Sequence, residues 1–282
     1  MTQPFAPVED ERLRRLHGVI ASRPGLIVAY SGGADSALLA VVASQVSPHM
    51  TLAVTAVSPS LARSEREHAR TFAQEHGLRH LEVCTDEADR DAYIRNDASR
   101  CFHCKSSLFE ALEPIASLLR VPIALGTNTD DLGEHRPGLA AARDHGAIAP
   151  LVEADLTKRD VRELSAILGL QTAAKPAQPC LASRVAYGDP VTPDLLARID
   201  RAEQFLRDMG FAVVRVRSHA HGSVARIEVA AHDLRRVIDE RVTIDAALRD
   251  CGFTFCSVDL AAFSSGRLND LLSIPVVPFA RS

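Results

Sequence analysis

Residues 26–36 read Leu-Ile-Val-Ala-Tyr-Ser-Gly-Gly-Ala-Asp-Ser, and ALLAVVASQV follows at 37–46. LIVAY (26–30) is a continuous apolar run of strand length, and the stretch after the glycines carries an apolar helix pattern. Two glycines between a buried strand and a helix have a physical use. Glycine tolerates positive φ and exposes its backbone N–H groups, and the helix N-terminus adds partial positive charge, so the turn can cradle a phosphate. Ser31 and Ser36 can donate hydroxyl hydrogen bonds. Asp35 repels phosphate but can hold magnesium, which an ATP site requires. The common phosphate loops are absent: no Gly-Lys dipeptide and no G-x-G-x-x-G occurs in the chain. A tight strand-to-helix turn with a serine N-cap is the plain alternative, and shape alone supports either.

Working outward, TLAVTAV (51–57), HLEVC (80–84) and VPIALG (121–126) read as further strands, with helices over about 61–76 and 106–119. Four strand–helix alternations predict an α/β domain, a doubly wound parallel sheet. The rhythm breaks at 175–193, where Pro176, Pro179, Pro190 and Pro193 crowd together. Proline lacks an amide donor and biases its predecessor toward extended geometry, so the domain junction is expected here. The expected domains are 1–184, holding the glycine loop and the chemical cysteines, and 185–282. In the latter, a helix over about 194–209, strands FAVVRVR and VARIEV, a helix over about 233–249 and strand FTFCSV suit a smaller C-terminal α+β domain with an antiparallel pair.

The chain has 282 residues, 46% hydrophobic and 24% charged, with a formal net charge of −4. That is an ordinary globular composition, long enough for two cores. It argues against nucleic-acid binding by bulk charge and makes a small molecule the default partner. No apolar run reaches the roughly 18 residues of a membrane span, and the N-terminus has no basic start with an apolar core behind it, so no membrane association and a cytoplasmic location are expected. Only three of the 32 basic residues are lysines, Lys105, Lys158 and Lys175. Arginine-biased codon usage is the bland explanation.

Six cysteines are too few for a disulfide scaffold and are candidates for metal binding or catalysis. Cys84, Cys251 and Cys256 lie in or beside apolar segments and are expected to be buried. Cys101 and Cys104 form a C-x-x-C pair just before the helix expected near Lys105, where a helix N-terminus and an ammonium favour thiolates. A zinc ribbon wants a second such pair, which is absent, and a haem attachment site wants His where Lys105 stands. A redox dithiol stays open. Cys180 sits in PCLASR (179–184), stiffened by nearby prolines, where Arg184 could stabilise a thiolate or a phosphate. Three cysteines from two loops could hold three irons of a cubane cluster with the fourth open; alternatively, Cys180 acts alone as a nucleophile.

SGGADS resembles the SGGxDS loop of the PP-loop ATP pyrophosphatases, which adenylate a substrate and release pyrophosphate. Together with RCFHCK (100–105), LGTNTDDLGEHRPG (125–138) and PCLASR, in that order, the chain resembles the LarE family over nearly its whole length. These are ATP-dependent sulfur-insertion enzymes of nickel-pincer nucleotide biosynthesis. The resemblance implies adenylation of pyridinium-3,5-biscarboxylic acid mononucleotide and conversion of the carboxylate to a thiocarboxylate. It implies that Ser31, Gly32, Gly33, Asp35 and Ser36 hold the ATP phosphates and Mg2+, and that Gly126, Asn128 and Asp131 complete the nucleotide side. Cys180 matches the cysteine that surrenders its sulfur in sacrificial members. Members with the extra C-x-x-C resemble this chain more closely, and there Cys101, Cys104 and Cys180 would bind a [4Fe-4S] cluster carrying an extra sulfide. Lys105 or Arg184 could neutralise charge developing during transfer. In the second domain Arg215, Arg217 and Glu228 fall near positions lining the substrate phosphate and a metal, although SHAHGSVARIE carries two more residues than the family pattern; alternating strand residues facing solvent is their plain alternative. A homo-oligomer is expected. Competing classes are a tRNA thiolase or another adenylating enzyme of the superfamily, and a non-catalytic Fe–S or nucleotide sensor. Against the thiolase, 184–250 holds eleven arginines and eleven acids, so no basic face for RNA is visible.

Overall fold

The computed structural model describes residues 10–133 and 137–264, so positions 134–136 of the LGTNTDDLGEHRPG motif lie outside the described residues. Among the described residues the chain forms two compact units, one from residues up to 87 together with 101–178, the other from 88–100 together with those from 179 onward.

The first unit contains α1 (Glu11–Ala21), β1 (Leu26–Ala29), α2 (Ala34–Val46), β2 (Thr51–Val57), α3 (Arg63–Glu75) and β3 (His80–Cys84). After the excursion into the second unit, which carries α4 (Asp91–Ile94), come α5 (Arg100–Leu119), β4 (Ile123–Ala124), α6 (Pro137–Asp144), α7 (Pro150–Glu153) and α8 (Lys158–Ile167). The four strands form a parallel sheet in the order β3-β2-β1-β4. Successive side chains of a strand point to opposite faces, and both faces are covered here. Leu26 and Val28 join a core with Leu13, Leu16 and Ile20 of α1, the run Ala37 to Ala43 of α2, Phe72 of α3, and Val161 and Leu164 of α8. Ile27 and Val54 join the opposite core with Leu108, Phe109 and Leu112 of α5. This is the α/β class that the apolar runs announce.

The strand order reverses between β1 and β4: β2 and β3 extend the sheet on one side of β1, and β4 returns to the other. Ligands of open α/β sheets bind outside the carboxyl ends of strands flanking such a point. Ser31-Gly32-Gly33 follows β1, and the Gly126–Asp131 stretch follows β4. At Gly126 the two backbones nearly touch. A Cβ there would stand 2.7 Å from the Ser36 amide nitrogen and 3.0 Å from the Asp35 carbonyl carbon.

Three local readings change. Helix α5 begins at Arg100, not near Lys105, because nothing in CFHC stops a helix and the Arg100 amide already bonds the Asp97 carbonyl at 3.1 Å; the C-x-x-C pair therefore lies in the first helical turn. Cys84 is exposed rather than buried, being the last residue of an edge strand, whereas Cys251 is buried and Cys256 half-buried. The single helix expected over 233–249 divides into α10 (Leu234–Asp239) and α11 (Arg241–Asp250) at Glu240, whose ψ of 11° leaves helical geometry.

The second unit places α9 (Pro193–Asp208), capped by the Thr192 side chain, against a sheet of β5 (Val214–His219), β6 (Val224–Val229) and β7 (Phe255–Val258). β5 and β6 are antiparallel, and β6 and β7 parallel. The strand–helix rhythm does not announce that 88–100 belongs here. Asn96, fully buried at φ 54°, a left-handed conformation asparagine tolerates, donates through Nδ2 to the carbonyls of Ala186 (2.8 Å) and Asp189 (2.9 Å). Arg100 bonds Asn96 Oδ1 and the Ala182 carbonyl, and lies over the Tyr187 ring. Among the described residues no helix is long and apolar enough to cross a membrane.

Gly126→Ala should destabilise the protein by about 1–3 kcal/mol in urea denaturation, the usual cost of forcing a methyl into a packed backbone contact. Gly18→Ala, in α1 with open space where its Cβ would stand, should instead stabilise by about 1 kcal/mol through helix propensity. Equal effects would show that the close approach at Gly126 does not exist in solution.

Candidate functional site

The glycine loop owes its shape to its two neighbours. Gly32 adopts φ +72°, and Gly33 caps α2 in extended geometry with no side chain of its own to bond the first-turn amides of α2. Ser36 ties the loop together: its Oγ accepts from the Ser31 amide (3.2 Å), lies 3.2 Å from Ser31 Oγ and donates to the Gly33 carbonyl (3.2 Å). Helix α3 presses from behind, with Ala69 Cβ 3.1 Å from where a Gly32 Cβ would be.

Across the switch point, Asn128 is fully buried and donates from Nδ2 to Asp35 Oδ1 at 2.9 Å. Its backbone amide donates to Asp131 Oδ2 at 3.2 Å, and its Oδ1 accepts from the Asp130 amide. One asparagine thus holds two carboxylates, Asp35 and Asp131, beside the N-terminus of α2. Burial, and secondarily the negative charge of Asp131, raise the Asp35 carboxyl above its ordinary pKa of 3.8, opposed by the Asn128 hydrogen bond. Such a pair, completed by oxygens of a bound phosphate, fits magnesium. Lys158, missed as a site residue from sequence, stands 3.2 Å from Asp131 Oδ1, and its amide donates to Asp130 Oδ2 at 2.7 Å. Lys175 donates to the Gly32 carbonyl at 3.0 Å and to Glu65 Oε2 at 2.8 Å. Two of the three lysines therefore lie at the glycine loop and its partner loop; their scarcity was the available signal, and sequence alone did not connect it to this loop.

Cys101 and Cys104 occupy one face of the first turn of α5, three residues apart, the former exposed and the latter half-buried. The stem of Lys105, in the next position, lies 3.0 Å from where a Gly138 Cβ would stand. Cys180 belongs to the second unit. Among the described residues no group of three or more His, Cys, Asp and Glu side chains gathers to hold a metal ion.

Around Cys180 the second unit builds a stiff platform. The thiol-bearing residue is exposed and caps a short 3-10 turn, Leu181–Arg184, whose Leu181 and Ala182 are buried. Arg184 is 2% exposed and pairs with the fully buried Glu203 through Nε at 2.9 Å. Its Nη1 donates to the carbonyls of Pro179 (2.5 Å) and Cys180 (3.1 Å) and to Ser183 Oγ. Arg217 pairs with buried Glu228 at 3.0 Å and donates to the Ser183 carbonyl at 2.9 Å. Arg184 is thus committed to holding the loop. Arg215, Arg217 and Glu228 are buried, not solvent-facing as simple strand alternation reads, because β5 is covered on both faces. Burial, then the nearby charge of Arg184, lowers the Arg215 pKa to about 10; Arg207 and Arg217 act in the same sense and Glu203 opposes. Such a concentration of guanidinium groups is suited to an anion.

No protein-family model matches the chain. It is 39% identical, over 94% of its length and 99% of the relative's, to an uncharacterized protein of Synechocystis sp.. It is 34% identical, over 87% of its length and 89% of the relative's, to the pyridinium-3,5-bisthiocarboxylic acid mononucleotide synthase of Lactiplantibacillus plantarum. An uncharacterized protein of Methanocaldococcus jannaschii is 30% identical over 85% of the chain and 91% of its own.

Two outcomes follow from this geometry. Because Asp35 has a raised pKa, the folded chain holds a proton that the unfolded chain has lost, and the associated stability declines as pH rises through that window. Asp35→Asn, whose amide oxygen can still accept from Asn128, should therefore match or exceed the wild-type melting temperature at neutral pH; a lower value contradicts the assignment. Arg184→Ala removes one of the partners of buried Glu203, which keeps Arg207 at 2.6 Å and the Val216 amide at 3.1 Å, and equilibrium unfolding should show a loss of about 1–3 kcal/mol. A loss below about 1 kcal/mol, the level of an exposed pair, would refute the buried clamp.

Proposed function

The chain belongs to the LarE family, and on that premise we propose that it is an ATP-dependent sulfurtransferase acting on pyridinium-3,5-biscarboxylic acid mononucleotide, making the thiocarboxylate needed for a nickel-pincer nucleotide. The observation that carries the reading is an exposed thiol, Cys180, on a turn whose carbonyls two arginines hold in place, in a chain whose other unit presents amides and paired carboxylates at a sheet switch point.

A carboxylate is a poor electrophile because its leaving group would be oxide. Here the substrate carboxylate oxygen attacks the α-phosphorus of ATP, the bond from that phosphorus to the bridging oxygen breaks, and pyrophosphate departs. The amides at the start of α2, with Ser31 and Ser36, stabilise charge on the phosphate oxygens. Asp35 and Asp131 would hold Mg2+, which screens phosphate charge, while Asn128 orients both carboxylates. Gly126 leaves room for this approach, since any side chain there would meet the first turn of α2.

Sulfur then displaces AMP from the acyl carbon. On the sacrificial route Cys180 thiolate attacks, and a thioester forms as AMP leaves. Loss of the Cys180 Cα proton and cleavage of its Cβ–Sγ bond release the thiocarboxylate and leave dehydroalanine. On the alternative route, which the family resemblance implies, Cys101, Cys104 and Cys180 would hold a [4Fe-4S] cluster, and that group would supply sulfide-level sulfur in place of the side chain. The C-x-x-C pair on one helical face supports this second route. Lys105 would neutralise charge developing beside the pair. Arg215 and Arg217, with Glu228, would receive the mononucleotide phosphate and its counter-ion, while Arg184 keeps the Cys180 loop in place.

The deciding assay offers the biscarboxylate mononucleotide with Mg-ATP and follows pyrophosphate, thiocarboxylate and protein mass. Cys180→Ala should release pyrophosphate but form no thiocarboxylate, and Asp35→Asn should lose pyrophosphate release about 100-fold. Anaerobically purified protein should carry about four irons per chain on the cluster route. Iron-free protein that turns over once, with residue 180 lighter by the mass of hydrogen sulfide, selects the sacrificial route. Thiocarboxylate formation by Cys180→Ala would remove Cys180 from the chemistry.

A further inference from the structure

Lys175 is used by no step above, yet it is held more firmly than an ordinary surface lysine. It follows the short turn Gln171–Ala174, its side chain is 12% exposed, and its ammonium is shared between the Gly32 carbonyl at 3.0 Å and the Glu65 carboxylate at 2.8 Å. Enclosing an ammonium to this extent costs desolvation, which the Glu65 pair offsets. The bond to a loop carbonyl is the part that stability alone does not call for.

From this geometry we infer that Lys175 is a positioning residue for the nucleotide loop: it fixes the orientation of the Gly32–Gly33 peptide so that the Gly33 N–H is presented to phosphate. A peptide unit is planar and trans, so its C=O and N–H point in opposite directions. Anchoring the Gly32 carbonyl on Lys175 therefore aims the Gly33 N–H away from Lys175. Between two glycines this peptide has little steric resistance to turning over, since each tolerates φ of either sign. Turned over, it would replace a donor by a carbonyl oxygen and repel the anion the loop is built to receive. Ala69 of α3, 3.1 Å from the Gly32 Cβ position, packs against the same residue. Glu65, also on α3, completes the arrangement by accepting from the same ammonium at 2.8 Å. The loop is thus preorganised by a lysine about 140 residues away in sequence.

This inference rests on the nucleotide reading of the loop, and the experiment separates the two. ATP and inorganic pyrophosphate binding, together with the KM values for ATP and for the carboxylate substrate, are measured on wild type, Lys175→Met, Lys175→Arg and Glu65→Gln. Lys175→Met should weaken ATP and pyrophosphate binding and raise KM for ATP at least 30-fold, leaving KM for the carboxylate within 3-fold. Lys175→Arg, which can donate to both acceptors, should recover to within about 5-fold of wild type. Glu65→Gln retains the loop bond and should raise KM for ATP by only 3- to 10-fold, which gives a reading even if Lys175→Met fails to fold. Wild-type affinities in Lys175→Met, or no effect of Glu65→Gln, overturn the positioning role alone. An arginine variant as impaired as the methionine variant overturns it too, by showing that the ammonium itself must meet phosphate. A wild-type protein that binds neither ATP nor pyrophosphate overturns both readings.

Discussion

The structure of the first unit turns on one close approach, where the backbone leaving β4 at Gly126 runs against the first turn of α2 at about the distance of bare backbone contact. Because no side chain fits between them, two segments about 90 residues apart in sequence become the two walls of one crevice. The parallel order β3-β2-β1-β4 puts both segments at the carboxyl ends of neighbouring strands, and the Asn128 side chain then spans the gap to Asp35. The raised pKa of Asp35 is a cost of that arrangement: a carboxyl is partly withdrawn from water and brought near another, and the Asn128 hydrogen bond and the charge of Lys158 offset only part of it.

The second unit solves a different problem with similar economy. An exposed thiol on a flexible loop sweeps many positions, and the transfer proposed for it would slow steeply if the reacting atoms were misplaced by about 1 Å. Here the turn carrying Cys180 is fixed through its carbonyls by guanidinium groups that are themselves fixed by buried carboxylates. Rigidity is thereby supplied from beneath, and the thiol keeps its exposure. Arginine suits this task better than lysine, since one planar fork reaches a carboxylate and several carbonyls together.

What the sequence made legible was whatever leaves a periodic trace. The runs LIVAY, TLAVTAV and VPIALG identify the parallel sheet because strands covered on both faces need no polar alternation. The stripe Leu13, Leu16 and Ile20 of α1 carries the same kind of trace, a spacing of three and four residues on one buried helical face. Other features leave no such trace. Phe, His and Cys are middling helix formers, so composition could not show that α5 starts before Cys101. The alternation in VVRVR suggested solvent-facing arginines, whereas Arg215 and Arg217 are enclosed by elements far away in the chain. The pairings of Arg184 with Glu203 and of Lys175 with Glu65 and the Gly32 carbonyl join groups 19 to 143 residues apart, and only the folded geometry reveals them.

The excursion of 88–100 into the second unit also sets a timetable. Asn96 finds its acceptors in Ala186 and Asp189, 90 and 93 residues later. At a synthesis rate of roughly 5–20 residues per second, Asn96 leaves the ribosome about 5–20 s before either partner exists. Until then the Asn96 side-chain amide lacks the two carbonyls that hold it in the folded chain. A contiguous C-terminal fragment beginning at 179 would therefore lack the fully buried asparagine that the second unit uses.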